Sequence, residues 1–350
     1  MSGTSIMRAA VTESWGRMKV REVRVPEPEQ GEVRIAVRLA GICGSDVHIF
    51  QGHHPTALAP VVQGHELVGV VDAWGPGVGS GPVVGQRVVV EPLISCGSCE
   101  ACRRGLSHVC RRLRLLGIHA DGAFAGYVLA PAAKLIAVPE SMDDEVAVMA
   151  EPFAVGVHVC QRAGLEPGER VLVLGAGPIG LVVAMVAATC GATVVVSEVN
   201  PQRIELAQAF GFTTLDASTD PGRAAAELTD DQGFDTCFEV AGVEAALSLA
   251  LGATRVRGTI VQVGFHSKPP PVDLFRLSLM ELSIVGSRVY RHEDFRRAVQ
   301  LLDTISRADR FDLRQLITQR IGLDGIPSGI EQMQAGQVLG KILVDPHLDV

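Results

Sequence analysis

Aromatic side chains make up only 4% of the 350 residues, and the formal net charge is −8. Nucleic-acid binders depend on a basic stripe and on aromatic stacking, so this composition excludes such a partner, although an acidic average leaves room for a locally positive pocket. Charged residues are also few, at 20%, against 47% hydrophobic. That balance suits buried cores and excludes long disorder. The opening residues Met1 to Arg17 lack the basic segment and apolar run of a secretory signal, which predicts a cytoplasmic protein. One charge-free stretch, Val171 to Val196, is 26 residues long, enough to cross a bilayer. Gly175, Gly177, Pro178, Gly180 and Gly191 interrupt it where a strand turns into a helix and out again, so no membrane span is expected.

At 350 residues the chain exceeds the roughly 250–300 at which single cores stop growing, which predicts two domains sharing a cleft. Without a secretory signal, its eight cysteines do not read as a disulfide framework. Cys96, Cys99, Cys102 and Cys110 crowd into fifteen residues, whereas Cys160, Cys190 and Cys237 sit in apolar surroundings as small core residues.

Up to about Pro152 the chain is rich in short β-branched runs, Val33–Leu39, Val68–Ala73 and Arg87–Val90, separated by Gly and Pro. It reads as an irregular all-β domain. From Phe153 apolar strands alternate with helical segments: Arg170–Leu174, Pro178–Cys190, Thr193–Glu198, Pro201–Phe210. Strands at Thr236–Glu239, Thr259–Val263 and Ser283–Val285 continue what reads as a doubly wound parallel sheet. The remainder, with a helix near Phe295–Asp303 and a strand at Lys341–Val344, is assigned back to the first domain. The expected division is therefore 1–152 with 291–350, and 153–290.

Gly175-Ala176-Gly177-Pro178-Ile179-Gly180 follows an apolar strand and opens a helix. In that context the first glycine permits the tight turn, the second admits a pyrophosphate against the backbone, and the third allows close helix packing. Free N–H groups at the helix start face the phosphates. Glu198 ends the next strand, eighteen residues beyond Gly180, where a carboxylate accepts from the adenosine ribose hydroxyls and favours NAD over NADP. Arg203 complicates this choice, because it can reach a 2′-phosphate or stack on adenine.

Cys96, Cys99, Cys102 and Cys110 supply four thiolates, the number that closes a tetrahedral structural zinc site. A second group is dispersed: Cys43, His65, Glu66 and Glu151. Mixed S, N and O donors fit a catalytic zinc with one open position. Asp46 is placed to accept the second imidazole N–H of His65. Ser45 and His48 then form a proton path from a substrate alcohol toward solvent.

Together, and in this order, Gly-Ile-Cys43-Gly-Ser45-Asp46-x-His48, Gly-His65-Glu66, the four-cysteine loop, Glu151-Pro152 and the Gly175 motif resemble the zinc-containing medium-chain dehydrogenase/reductase superfamily, in its polyol dehydrogenase-like branch. The likeness covers essentially the whole chain. It implies an α/β architecture of a GroES-like all-β catalytic domain plus a Rossmann domain, assembled as a homo-oligomer, dimer or tetramer. It also implies that Cys43 and His65 bind the catalytic zinc, that Glu66 and Glu151 are its carboxylates, and that Ser45 and His48 relay the proton. The segments Ala40–Pro55 and Leu116–Phe124 are most similar to bacterial members that oxidise the C5 hydroxyl of aldonates such as L-gulonate, L-galactonate or L-idonate. L-Threonine 3-dehydrogenase and sorbitol or butanediol dehydrogenases share the core motifs. Arg288, His119 and His54 are candidates for holding a substrate carboxylate. A different class, a non-catalytic zinc- and nucleotide-binding regulator, is disfavoured because every catalytic ligand is present.

Overall fold

The computed structural model describes residues 5–79 and 81–348. The chain divides into two compact units, Met1–Glu151 with Arg291–Val350, and Pro152–Tyr290.

The first unit is built on β-branched strands that present alternate residues to one core. The hairpin Ile6–Ser14/Arg17–Arg24 pairs with the short strand Val61–Val62. A seven-stranded sheet runs in the order Leu135–Ala137, Arg87–Val90, Glu66–Trp74, Glu32–Gly41, Lys341–Val344, Ile317–Ile321, and Tyr127–Pro131 also pairs with Glu32–Gly41. In Glu32–Gly41 the residues Val33, Ile35 and Val37 are buried in alternation and pack with Val71, Val88, Phe124, Ile326 and Ile342. The C-terminal segment thus contributes a central strand to this sheet, as its return to the first domain requires. Its helix is longer than the apolar pattern suggested, His292–Ala308, and buries Phe295, Ala298, Val299, Leu302 and Ile305 at helical spacing.

Register positions the chemistry. Gly41 pairs with Glu66 on one side and Leu343 on the other. A Cβ on Gly41 would lie 2.1 Å from Glu66 Oε2, so the glycine leaves free the space that this carboxylate occupies. The chain then leaves the strand and opens the helix Gly44–Phe50 immediately after Cys43.

The second unit is a six-stranded parallel sheet in the order Thr213–Asp216, Thr193–Glu198, Arg170–Leu174, Phe234–Glu239, Thr254–Gln262, Ser283–Gly286. Numbered along the chain this is 3-2-1-4-5-6, the doubly wound arrangement of dinucleotide-binding folds. The charge-free stretch resolves into strand, turn, the helix Pro178–Thr189, and strand. That helix is buried almost all round, from Gly180 to Ala187, which explains its apolar sequence. No helix among the described residues is long and apolar enough to cross a membrane.

Candidate active site and nucleotide site

The four loop cysteines converge. Sγ separations are 3.4 Å for Cys96–Cys110, 3.5 Å for Cys99–Cys102, 3.8 Å for Cys99–Cys110 and 4.0 Å for Cys96–Cys102. A zinc tetrahedron with bonds of about 2.3 Å has edges of about 3.8 Å, so the thiols already stand where one ion fits. Backbone N–H groups aim at the sulfurs: those of Cys96 and Arg112 each approach Cys110 Sγ at 3.3 Å. The Cys96 thiol is pulled down to about 5, first by the Ser98 backbone N–H and then by Cys110, while Cys102 is pushed up to about 11 by burial and its sulfur neighbours.

In the same unit, ligand atoms of Cys43, His65 and Glu66 lie within 4.8 Å of one another. Their convergence follows from the register: Cys43 begins its helix at the end of one central strand, and Glu66 begins the neighbouring strand, with His65 just before it. Asp46, fully buried, ties them together. Its Oδ2 accepts the Cys43 N–H at 2.8 Å, its Oδ1 accepts the Gly64 N–H at 3.4 Å, and its backbone carbonyl accepts Gln63 Nε2 at 3.0 Å. His65 Nδ1 stands 3.8 Å from Asp46 Oδ1, beyond a direct hydrogen bond, so here Asp46 orders the backbone and acts on the ring through its charge. His65 Nε2 is 3.3 Å from Ser45 Oγ. Burial alone would lower the His65 pKa, but Asp46, Cys43 and Glu151 more than reverse it and hold the ring well above its ordinary value. Such an excess of negative donors is what a divalent cation neutralises, and the donor set fits zinc.

Glu151 opens the helix Ala150–Ala163. It is close enough to act on His65 and Lys341 but is not among the three groups gathered within 4.8 Å. His48 lies three residues after Ser45 on the same face of the helix, with its ring exposed. No hydrogen bond joins Ser45 to His48 among the described residues.

Sequence reasoning missed Lys341. Its Nζ lies 2.6 Å from Glu66 Oε1 and 2.5 Å from Oε2, and donates to the Ile42 carbonyl at 3.0 Å. A lysine at the head of a strand gives no local sign that it pairs with a carboxylate 275 residues away.

In the second unit Gly175 has φ +108°, and a Cβ on Gly180 would lie 1.8 Å from the Gly175 carbonyl oxygen, so neither tolerates a side chain. Gly177 has nothing within 4 Å of its would-be Cβ, which leaves the start of the helix open to a phosphate; Pro178 is the first residue of that helix and Ile179 the second. Glu198 is not a solvated strand end. Its Oε2 accepts the Ala176 N–H at 2.8 Å, and its Oε1 accepts those of Val199 at 2.8 Å and Asn200 at 3.1 Å. The carboxylate therefore stitches the glycine loop to the next strand, with Arg203 4.0 Å away.

Comparison with known proteins agrees with this geometry. Residues 29–140 match the alcohol dehydrogenase GroES-like domain family, and residues 178–304 match the zinc-binding dehydrogenase family. The chain is 38% identical over 320 residues to the 2-dehydro-3-deoxy-L-galactonate 5-dehydrogenase of Pseudoalteromonas atlantica, covering 91% of this chain and 92% of that one. A zinc-binding dehydrogenase of Sinorhizobium meliloti 1021 bound to NADP superposes with TM-score 0.91 at 32% identity, covering 98% and 100% of the two chains. The RspB dehydrogenase of Escherichia coli CFT073, complexed with NADH, superposes with TM-score 0.89 at 33% identity, covering 97% and 99%. With four thiols at zinc spacing, a Cys–His–Glu cluster and a glycine-rich nucleotide turn on the two folds that these families share, the chain belongs to the zinc-binding, NAD(P)-dependent alcohol dehydrogenases.

Proposed function

We propose that this enzyme oxidises a secondary hydroxyl of a sugar acid, of the L-gulonate or L-galactonate 5-dehydrogenase type, with NAD as the preferred acceptor. The observation that carries the proposal is the gathering of Cys43, His65 and Glu66 beside the Ser45 hydroxyl. Cys43, His65 and one carboxylate, Glu66 or Glu151, hold the catalytic zinc; Cys96, Cys99, Cys102 and Cys110 hold a structural zinc. When bound, zinc supplies Lewis acidity that makes an alcohol proton removable near neutral pH, and the nicotinamide supplies the hydride acceptor. Ser45 accepts the substrate's hydroxyl proton as it releases its own, which His48, exposed on the same helix face, carries to solvent.

Gly175, Gly177 and Gly180 with the following helix bind the pyrophosphate. Glu198 favours NAD because its charge opposes a 2′-phosphate, and Arg203 is the residue through which NADP competes. The substrate class is supported by the likeness to a sugar-acid 5-dehydrogenase. L-Threonine or a neutral polyol such as sorbitol or butanediol is the second reading, since the core motifs do not separate them.

We further assign the protein to the cytoplasm, where a reducing environment keeps its thiols available to metal. It self-associates, as a dimer or tetramer, through the edge of its parallel sheet. There Leu274, Phe275 and Leu279 of one helix and Ile284 of the edge strand Ser283–Gly286 are exposed apolar groups. Reduction of NAD and of NADP, measured with zinc-loaded enzyme against aldonates, polyols and L-threonine, tests the reading. Turnover of one aldonate with NAD is expected, and turnover confined to threonine or neutral polyols would refute the substrate.

A further inference from the structure

Two chain segments leave the Cys43–His65 cluster and meet again. The helix Gly44–Phe50 continues through Gln51 and Gly52, whose N–H groups cap it onto Val47 and Ile49, and His53 N–H bonds the His48 carbonyl. It delivers His54 and Thr56. The second segment, Leu115 to Phe124, is pinned against the residues just before His65: Gly122 N–H bonds Val62, Ala123 N–H bonds Gly64 and Phe124 N–H bonds Gln63. A Cβ on Gly122 would lie 2.2 Å from the Gly64 carbonyl oxygen. This segment delivers His119. Ile49, Ala57 and Ile118 bury together beneath the meeting point, so both segments share one apolar footing.

Hydrogen bonds settle which atoms donate. His119 Nδ1 accepts the Leu115 N–H at 3.1 Å, so in the neutral ring the proton sits on Nε2. Nε2 is 2.9 Å from Thr56 Oγ1, and the hydroxyl, already an acceptor there, directs its own proton elsewhere. His54 is fixed alike, its Nδ1 accepting the Ala57 N–H at 3.1 Å, with its ring edge-on to His119 at 6.2 Å. Arg114 donates to the His119 carbonyl at 2.9 Å, which brings a guanidinium beside this residue with donors to spare. Burial and the Arg114 charge lower the His119 pKa, so the ring stays neutral while the guanidinium field remains to attract an anion. The nearby carboxylate of Asp121 is occupied by the Val62 N–H at 2.9 Å.

We infer that Thr56 and Arg114 form the subsite for the substrate's carboxylate, with His119 as the positioning residue that orients the Thr56 hydroxyl and His54 holding the backbone N–H groups of Thr56 and Ala57. The inference rests on the sugar-acid reading above. Ser45 is the second residue of the helix Gly44–Phe50, and Thr56 follows six residues after that helix ends, on the same continuous segment. Arg288, the arginine considered from sequence, is exposed, and Arg114 was not among the candidates read from sequence.

The test compares kcat/KM for an aldonate with that for the polyol in which a hydroxymethyl group replaces the carboxylate, using zinc-loaded Thr56→Val and Arg114→Gln enzymes whose metal content is checked. Losing one hydrogen bond to a charged group lowers the acid-to-polyol ratio by roughly 10- to 100-fold in each variant. His119→Ala raises KM for the acid while kcat holds, and His119→Gln, whose amide N–H replaces the ring donor, restores part of the affinity. An unchanged ratio in both variants overturns the subsite and leaves the sugar-acid reading standing. A wild-type enzyme that turns over the polyol or a sugar phosphate but no aldonate overturns both.

Discussion

Lys341 Nζ reaches both carboxylate oxygens of Glu66, at 2.6 and 2.5 Å, with both side chains almost entirely buried. Such a pair gains little net stability over an apolar pair, but removing one partner strands the other charge. Lys341→Met is therefore expected to destabilise the protein by about 3–5 kcal/mol in urea unfolding, and to loosen metal at the Cys43–His65 cluster. Adding Glu66→Gln to the same chain recovers part of the loss. A single variant as stable as the parent would show that Lys341 does not anchor Glu66.

Cys99→Ser removes one corner of the four-thiol tetrahedron. Bound zinc falls by about one ion per chain and the loop becomes sensitive to protease, because metal affinity and local folding are one quantity here. Nucleotide binding, followed by NADH fluorescence, persists. Full zinc content by elemental analysis would contradict the closed site.

Gly180→Ala places a methyl group 1.8 Å from the Gly175 carbonyl oxygen. Since that atom is backbone, the turn must open, and NADH affinity is expected to fall by at least 10-fold in a fluorescence titration. Unaltered affinity would detach the glycine turn from the cofactor.

Asp235 gives a pH dependence from the unit that carries none of the candidate metal ligands. Burial pushes its carboxyl up, but the Arg170 N–H at 2.7 Å and the Arg255 guanidinium at 2.5 Å outweigh this and hold it below 3.8. A depressed carboxylate contributes stability above its unfolded value, which is lost as pH falls through the folded value. Asp235→Asn should cost about 1–2 kcal/mol at pH 7, with the gap to wild type closing below about pH 4. A gap of constant size down to pH 3 would show that the charge is not the source.

The zinc loop and the glycine turn were legible because their residues lie close together along the chain, so spacing alone carries the geometry. The strands Arg87–Val90, Arg170–Leu174, Thr193–Glu198 and Lys341–Val344 stand where the apolar runs placed them. The helix Glu244–Ala253 escaped notice because Leu247, Ala250 and Leu251 are buried in a segment apolar almost throughout, which blurs the helical period. The short helix Gly44–Phe50 escaped because seven residues give too few turns to show one. Glu198 was read as an acceptor for the adenosine ribose and Asp46 as the partner of the His65 ring, yet both spend hydrogen bonds on nearby backbone N–H groups, which spacing cannot reveal. Lys341 was invisible for a plainer reason, that its partner is set by sheet register.

The central claim is that the Cys43–His65–Glu66 cluster works through zinc. Its most direct test is aldonate-dependent NAD reduction by one preparation, first stripped of metal by a chelator and then reloaded with zinc, with zinc content and NADH binding measured at each stage. The account predicts that turnover disappears on stripping while NADH still binds, and that it returns in proportion to zinc restored. Undiminished turnover in the stripped enzyme would contradict it.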